Sequence, residues 1–278
     1  MWDVIQFLTP PFFACLAMIS ILGYFGIHVL EREIIFIDIT LAQIAAVALG
    51  LAFVFLRVGE NSFIAYVFAF GFIVLAALFF SQIRKKITQI PQEAVIGVTY
   101  AIAAAAALFF LALAPGGNIH LEHMLTGSIL WAKWLDIFIS IGVYAAVGAV
   151  HLIFKDKFKS ISLDYQSAVD KGLRAEWWDF LFYVTMGIVI ILSVKIAGVL
   201  VIFSFLVIPA TFAAMFAISW GKRFLIAWVV GFTASLAGIL FSYFLDFSSG
   251  PSVVSFLGLI LITGAVAKRV VVSKVASS

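Results

Sequence analysis

Charge is scarce in this chain. Only 11% of its 278 residues are Asp, Glu, Lys or Arg, and 65% are hydrophobic. Soluble domains are about 25% charged and about 45–50% apolar. With a mean hydropathy of +1.21, the sequence is that of a polytopic membrane protein. No polar stretch is long enough for a separate soluble domain, so an ATPase or ligand-capture domain has to be another chain. Cysteine is nearly missing as well. The lone Cys15 rules out an intrachain disulfide and reads as a small buried hydrophobe. A basic n-region is also lacking, so Met1–Leu30 reads as a first retained span rather than a secretory signal peptide.

Enzyme motifs are absent too. There is no GxxxxGK[ST] phosphate loop, so this chain does not itself hydrolyse ATP. Without HExxH or GxSxG there is no motif-level case for an intramembrane protease or hydrolase. The basic residues are scattered among membrane loops, which gives no support to nucleic-acid binding. No period of 20–50 residues repeats, and the two halves show no convincing similarity.

What is present is a series of apolar runs. A helix needs roughly 20 apolar residues to cross the hydrocarbon core. Nine stretches fit: Pro11–Leu30, Ile34–Leu56, Phe63–Ile83, Ala94–Ala114, Leu135–Phe154, Phe180–Val194, Ala197–Ile218, Phe224–Leu245 and Val253–Ala267. The sixth is short, and Lys195 and Gly198 separate it from the seventh, so eight or ten spans also fit. The expected fold is all-α, a single transmembrane permease domain over residues 1–278. Placing Arg84-Lys85-Lys86 inside and alternating puts all of the 17 Lys and Arg inside except Arg57, Lys133 and Lys195. That satisfies the positive-inside rule with the C-terminus cytoplasmic. Small residues are dense in the second span (Ala42, Ala45, Ala46, Ala48, Gly50) and in the fourth (Ala101–Ala107), which permits close helix approach.

The longest polar break, Lys155–Trp178, falls on the cytoplasmic side by the same count. Its middle, Ser162–Gly172, reads as a short helix stopped by Gly172. A membrane protein with one sizeable cytosolic element uses it to touch a partner. Inside the second span the polar residues are Asp38, Thr40 and Gln43, and polar groups in spans are costly and often functional. Plainer roles exist: Asp38 as a helix-start carboxylate, Gln43 as an interhelical hydrogen bond. His120, Glu122 and His123 form a second cluster, on the outer side. Their types suit Zn²⁺ or Mn²⁺, and a solvated loop is the plainer reading. Pro91 opens the fourth span in its first turn. Pro209 lies inside the seventh span, where a kink is expected. Asp246–Pro251, with Gly250 and Pro251, reads as an external turn.

Together these residues resemble the membrane permease subunits of bacterial ABC importers for zinc, manganese and iron, from about Gly26 to Arg269. The matching stretches are IPQEAVIGVTYAIAAA (90–105), LTGSIL (125–130), LDYQSAVDKG (163–172), GVLVIFSFLVIPATFAAM (198–215) and SYFLDFSSGP (242–251). The resemblance implies a homodimer in the bacterial cytoplasmic membrane, surrounded by lipid, with a central path. It implies a cytosolic ATP-binding cassette dimer gripping a coupling helix at Ser162, Leu163, Asp164, Ala168 and Gly172. An extracytoplasmic metal-binding protein is implied outside. The divalent metal is cargo rather than cofactor. The chain departs from the family at the start of the second span. Many members carry Asp-Ala-Leu-Ser-His there; here the stretch is Ile39-Thr40-Leu41-Ala42-Gln43, with an acid one position earlier at Asp38. Glutamine is a far weaker ligand than imidazole for Zn²⁺. A path built on other groups, a harder metal and a metal chelate all fit this change.

The leading function is thus a permease subunit moving a divalent transition metal inward, driven by a separate ATPase. A metal-chelate permease is the nearest alternative. A secondary transporter of the drug/metabolite type, coupled to an ion gradient, is a competitor from another class. It needs no docking helix, and often has two similar halves. An intramembrane enzyme lacks a paired catalytic constellation.

Overall fold

A computed structural model describes residues 2–58, 62–86, 89–113, 127 and 129–276. Among them lie eleven α-helices: α1 (Trp2–Glu31), α2 (Ile37–Leu51), α3 (Phe63–Lys86), α4 (Gln92–Ala112), α5 (Trp134–Ile153), α6 (Lys155–Leu163), α7 (Tyr165–Asp170), α8 (Ala175–Ala197), α9 (Val199–Phe216), α10 (Trp220–Leu245) and α11 (Ser249–Ala276). Nine of these segments are long and apolar enough to cross a membrane, as the hydropathy pattern predicts. Large apolar side chains stand exposed along them: Ile102 is 66% exposed and Phe138 62%. Water would not tolerate such a surface at this density, whereas lipid does.

The chain forms two compact units. One comprises Met1–Leu30, Thr126–Ile141 and Ile196–Ser278. Its helices meet through glycines. A Cβ on Gly26 of α1 would collide with the Leu206 carbonyl of α9, and one on Gly238 of α10 would lie 2.5 Å from the Val253 Cα of α11. Lys268 of α11 donates to the Met215 carbonyl near the end of α9. Gly127 (φ +60°) sits directly against the Ala197–Gly198 peptide, and Gly198 itself has φ +79°. Both positions favour glycine on conformation alone.

The other unit comprises Glu31–Leu125 and Gly142–Lys195. In it α2 packs against α3 and α4 and is buried on nearly every side. Of the small residues predicted to allow close approach, Ala42, Ala45, Ala46, Ala48 and Gly50 of α2 are buried; in α4 only Ala103 and Ala107, one turn apart on one face, are buried, while Ala101 and Ala105 are exposed. The last turn of the second span widens into a π-helix, Ala52–Leu56, ended by Arg57 at φ +52°.

Four sequence expectations need correction. The sixth span is not short: α8 takes in Trp177, Trp178 and Asp179 at its start and Lys195 at its end. Lys195 is tolerated there with its ammonium 5.7 Å from the Tyr66 ring centre. Pro91 precedes α4 rather than lying in its first turn, and its carbonyl accepts the Ala94 N–H at 3.0 Å. The turn after α10 is shorter than Asp246–Pro251. Asp246 closes α10 at φ +54°, and Gly250 and Pro251 already belong to the first turn of α11. Proline fits there because a first-turn N–H has no intrahelical acceptor. Finally, Ser162–Gly172 is not one helix. It breaks at Asp164, between α6 and α7. Pro209 lies inside α9 as expected.

Candidate functional site

The start of α2 has no capping side chain of its own, since its N-cap is Phe36. The orphan Phe36 N–H is taken instead by Glu93 of α4, whose Oε1 lies 3.0 Å away. Thr40 ties the same two helices. Its hydroxyl donates to the Phe36 carbonyl at 2.7 Å and lies 3.4 Å from the Ile96 carbonyl. Thr40 is thus satisfied by backbone and acts as a strut.

Its neighbour Asp38 is not so satisfied. Asp38 is 1% exposed, and neither of its oxygens has a hydrogen-bond partner among the described residues. Only the backbone N–H groups of Asp38 itself and Ile39 interact with it, off hydrogen-bond geometry, and the Glu93 carboxylate repels it. Glu93 Oε2 is also buried without a partner. Gln43 is buried. A carboxyl group without a donor in an apolar interior costs about 2–7 kcal/mol. Glu93 offsets part of that cost by capping the start of α2, whereas the burden at Asp38 has no structural return among the described residues. Both can offer oxygen to a hard or borderline cation.

Imidazole is missing from α2. The two histidines among the described residues are engaged elsewhere. His28 lies between the Tyr24 and Trp220 rings. His151 bonds the Thr185 hydroxyl at 2.8 Å and stacks on Phe158. No group of three His, Cys, Asp or Glu that could hold a metal occurs among the described residues. His120, Glu122 and His123 lie outside the described residues.

The polar break between α5 and α8 is built with care. Asp164 leaves helical geometry (φ −155°, ψ 101°) and caps α7, its Oδ1 accepting the Ser167 N–H at 3.0 Å. At the other end the Leu173 N–H reaches the Ala168 carbonyl at 3.1 Å, and the Gly172 N–H reaches Val169 at 2.8 Å. This paired closure needs a left-handed residue, and Gly172 supplies it at φ +80°. Ile161, Ala168 and Ala175 form a buried core beneath, with Tyr165, Leu173 and Trp178 packed on it. Of the residues expected to meet a partner, Ser162 and Ala168 are buried, whereas Leu163, Asp164 and Gly172 face outward with Val169. The presented face is apolar at Leu163 and Val169 and charged around them.

Beneath that loop is a cluster that sequence reasoning missed. Arg32 and Asp179, both fully buried, pair at 2.6 Å. Arg84 approaches the other oxygen of Asp179 at 3.3 Å. Asp179 stands just before the expected sixth span, Phe180–Val194. A carboxylate at the edge of an apolar run was the signal available. Tyr165 stands over Arg84, and burial together with the nearby Asp179 charge pushes its phenol up to about 12, so it stays neutral.

Comparison with known proteins agrees with this architecture. Residues 4–268 match the ABC 3 transport family. The chain is 29% identical over 217 residues to the manganese import system permease protein ScaB of Streptococcus gordonii, covering 78% of this chain and 76% of that protein. It is 25% identical over 252 residues to the high-affinity zinc uptake system membrane protein ZnuB of Haemophilus influenzae, covering 90% and 93%. Among solved structures, PsaBC from Streptococcus pneumoniae in complex with Fab superposes with a TM-score of 0.78 at 24% identity, covering 94% of this chain and 93% of that one. A transporter assigned to the metal-chelate type, in an inward-facing conformation, gives 0.69 at 18% identity, covering 98% and 89%. The chain therefore belongs to the ABC 3 transport family, as a membrane permease subunit of a metal-type ABC importer.

Proposed function

We propose that this permease carries a divalent transition-metal ion inward past α2, with Asp38 and Gln43 facing the path and Thr40 holding the helix in register. The observation that carries this reading is the unpartnered, buried carboxylate of Asp38. A passing cation would supply the charge partner that the protein withholds. The relatives named for manganese and zinc support a first-row metal as the cargo. With Gln43 in place of an imidazole, α2 offers oxygen donors, which favours Mn²⁺ over Zn²⁺. His120, Glu122 and His123 would receive the metal on the outer side from an extracytoplasmic binding protein.

Two copies would form the permease within the lipid bilayer, served by a cytosolic ATP-binding cassette dimer. That dimer would grip the loop 155–178 through Leu163, Asp164 and Val169, with Gly172 and the buried Ser162 and Ala168 fixing the shape of the gripped surface. The concentration of Lys and Arg on the loop side of the membrane supports a cytoplasmic loop and C-terminus.

The test is uptake of Mn²⁺ and Zn²⁺ into vesicles holding the permease with its ATPase. Asp38→Asn and Gln43→Leu should each lower uptake while the protein inserts normally. Gln43→His should shift preference toward Zn²⁺. Wild-type uptake in Asp38→Asn and Gln43→Leu would remove α2 from the path.

A further inference from the structure

One carboxylate joins the loop helices to the ends of the membrane helices. Asp179, in the first turns of α8, is buried and shared by two arginines, Arg84 Nη1 lying 3.4 Å from Oδ1 as well as near Oδ2. Oδ1 takes Arg32 Nη1 at 2.6 Å, and Oδ2 takes Arg84 Nη1 at 3.3 Å. Arg32 lies in the turn that leads directly into α2, and Arg84 lies in the last turn of α3. Each arginine also holds one loop helix. Arg32 Nε donates to Ser162 Oγ of α6 at 2.8 Å, and the Arg84 guanidinium carbon lies 4.4 Å from the centre of the Tyr165 ring of α7. Arg32 is further fixed over the Phe182 ring of α8 at 3.9 Å.

A buried ion cluster is a poor way to gain stability. Packed hydrophobic residues of similar volume often do as well or better. What it provides is geometry. A guanidinium fork has fixed donor directions, and a carboxylate held by two of them cannot follow one without straining the other. Neither loop helix can shift without pulling on an arginine, and each arginine belongs to a segment that continues into a span. Such packed and ion-paired chains of side chains can carry coupling between distant sites.

We propose that Arg32, Asp179 and Arg84 are positioning residues that transmit movement of α6 and α7 to α2, α3 and α8, so that ATP hydrolysis outside the membrane moves α2, which carries Asp38 and Gln43. This rests on the reading that the loop takes the ATPase. It assigns the conversion of hydrolysis into transport to a named cluster that touches neither metal nor nucleotide.

The experiment uses the permease assembled with its ATPase in vesicles, with Mn²⁺ as cargo. Three quantities are read: co-purification of the ATPase, ATP hydrolysis, and Mn²⁺ moved per ATP. Arg84→Gln and Tyr165→Leu should keep the ATPase bound and hydrolysing. Mn²⁺ moved per ATP should fall about tenfold, within the usual range of coupling between sites. Tyr165→Phe keeps the ring and should transport like the unaltered protein. If Arg84→Gln fails to insert, the Tyr165→Leu and Tyr165→Phe pair decides, because it alters one half-buried ring. Unchanged Mn²⁺ per ATP in Tyr165→Leu, or equal losses in Tyr165→Leu and Tyr165→Phe, overturns the proposal. Loss of the ATPase from the Arg84→Gln complex does so too, because the cluster would then only shape the docking face. The docking reading fails separately, if Leu163→Glu with Val169→Glu still co-purifies the ATPase.

Discussion

Glu93 caps a helix that is not its own. Its Oε1 accepts the Phe36 N–H at 3.0 Å, so the fourth span satisfies the start of the second. Its other oxygen is left buried without a partner, beside the unpartnered Asp38 that it repels. One side chain thus serves architecture and, in the proposed function, the path, and the two roles can be separated. Glu93→Ala removes the cap and should cost about 1 kcal/mol or somewhat more, seen as a lower unfolding temperature of the purified permease. Glu93→Gln keeps an acceptor oxygen and should restore most of that stability. It removes the charge, and so should still lower Mn²⁺ uptake. Recovery of both properties together in Glu93→Gln would reduce the residue to a cap.

Gly172 ends α7 at φ +80°, and a Cβ placed there meets nothing within 4 Å. The cost of a side chain is therefore conformational alone. Gly172→Ala should destabilise the loop by about 1–2 kcal/mol, and Gly172→Asn by less, because asparagine tolerates the left-handed region. The readout is amide hydrogen exchange across residues 165–173, with metal-stimulated ATP hydrolysis in parallel. Equal protection in Gly172→Ala and the unaltered chain would contradict the closure assigned to Leu173 and Ala168.

Gly127 offers a contrast, since both conformation and space forbid a side chain there. With φ +60° and the Ala197–Gly198 peptide directly against it, Gly127→Ala should cost on the order of 3 kcal/mol. Poor recovery of folded permease from membranes is the expected result; normal recovery and unfolding temperature would contradict the contact.

The number and order of spans were legible because lipid exposure imposes long apolar runs, and those runs carry their own signal. The sixth span was misjudged where aromatic and charged residues occur inside a helix: Trp177, Trp178 and Asp179 at one end, Lys195 at the other. The α6 helix was hidden by its lysines, although Phe158, Ile161 and Ser162, the residues it buries, already stand at helical spacing. Gly172 was readable because a left-handed stop is a local property. Arg32, Arg84 and Glu93 were not, because their partners are distant in sequence: Arg32 and Asp179 lie 147 positions apart. Counting cations by membrane side reveals topology and conceals which of them are buried.

For the outer cluster, alanine at His120, Glu122 and His123 together should lower uptake when metal is limiting and leave it unchanged when metal is abundant. That pattern is expected of residues that receive metal rather than conduct it. Equal uptake at both concentrations would return the segment to an ordinary loop.

If α2 lines the path, as proposed, Gln43 meets water at some stage of the transport cycle. In a Cys15→Ala background, which removes the single buried cysteine, Gln43→Cys is treated with a small water-soluble thiol reagent in the assembled complex. Labelling should occur, and should differ between the nucleotide-free and ATP-bound states as the path opens to one side and then the other. Absence of labelling in every nucleotide state would place Gln43 at a dry helix interface and contradict the account.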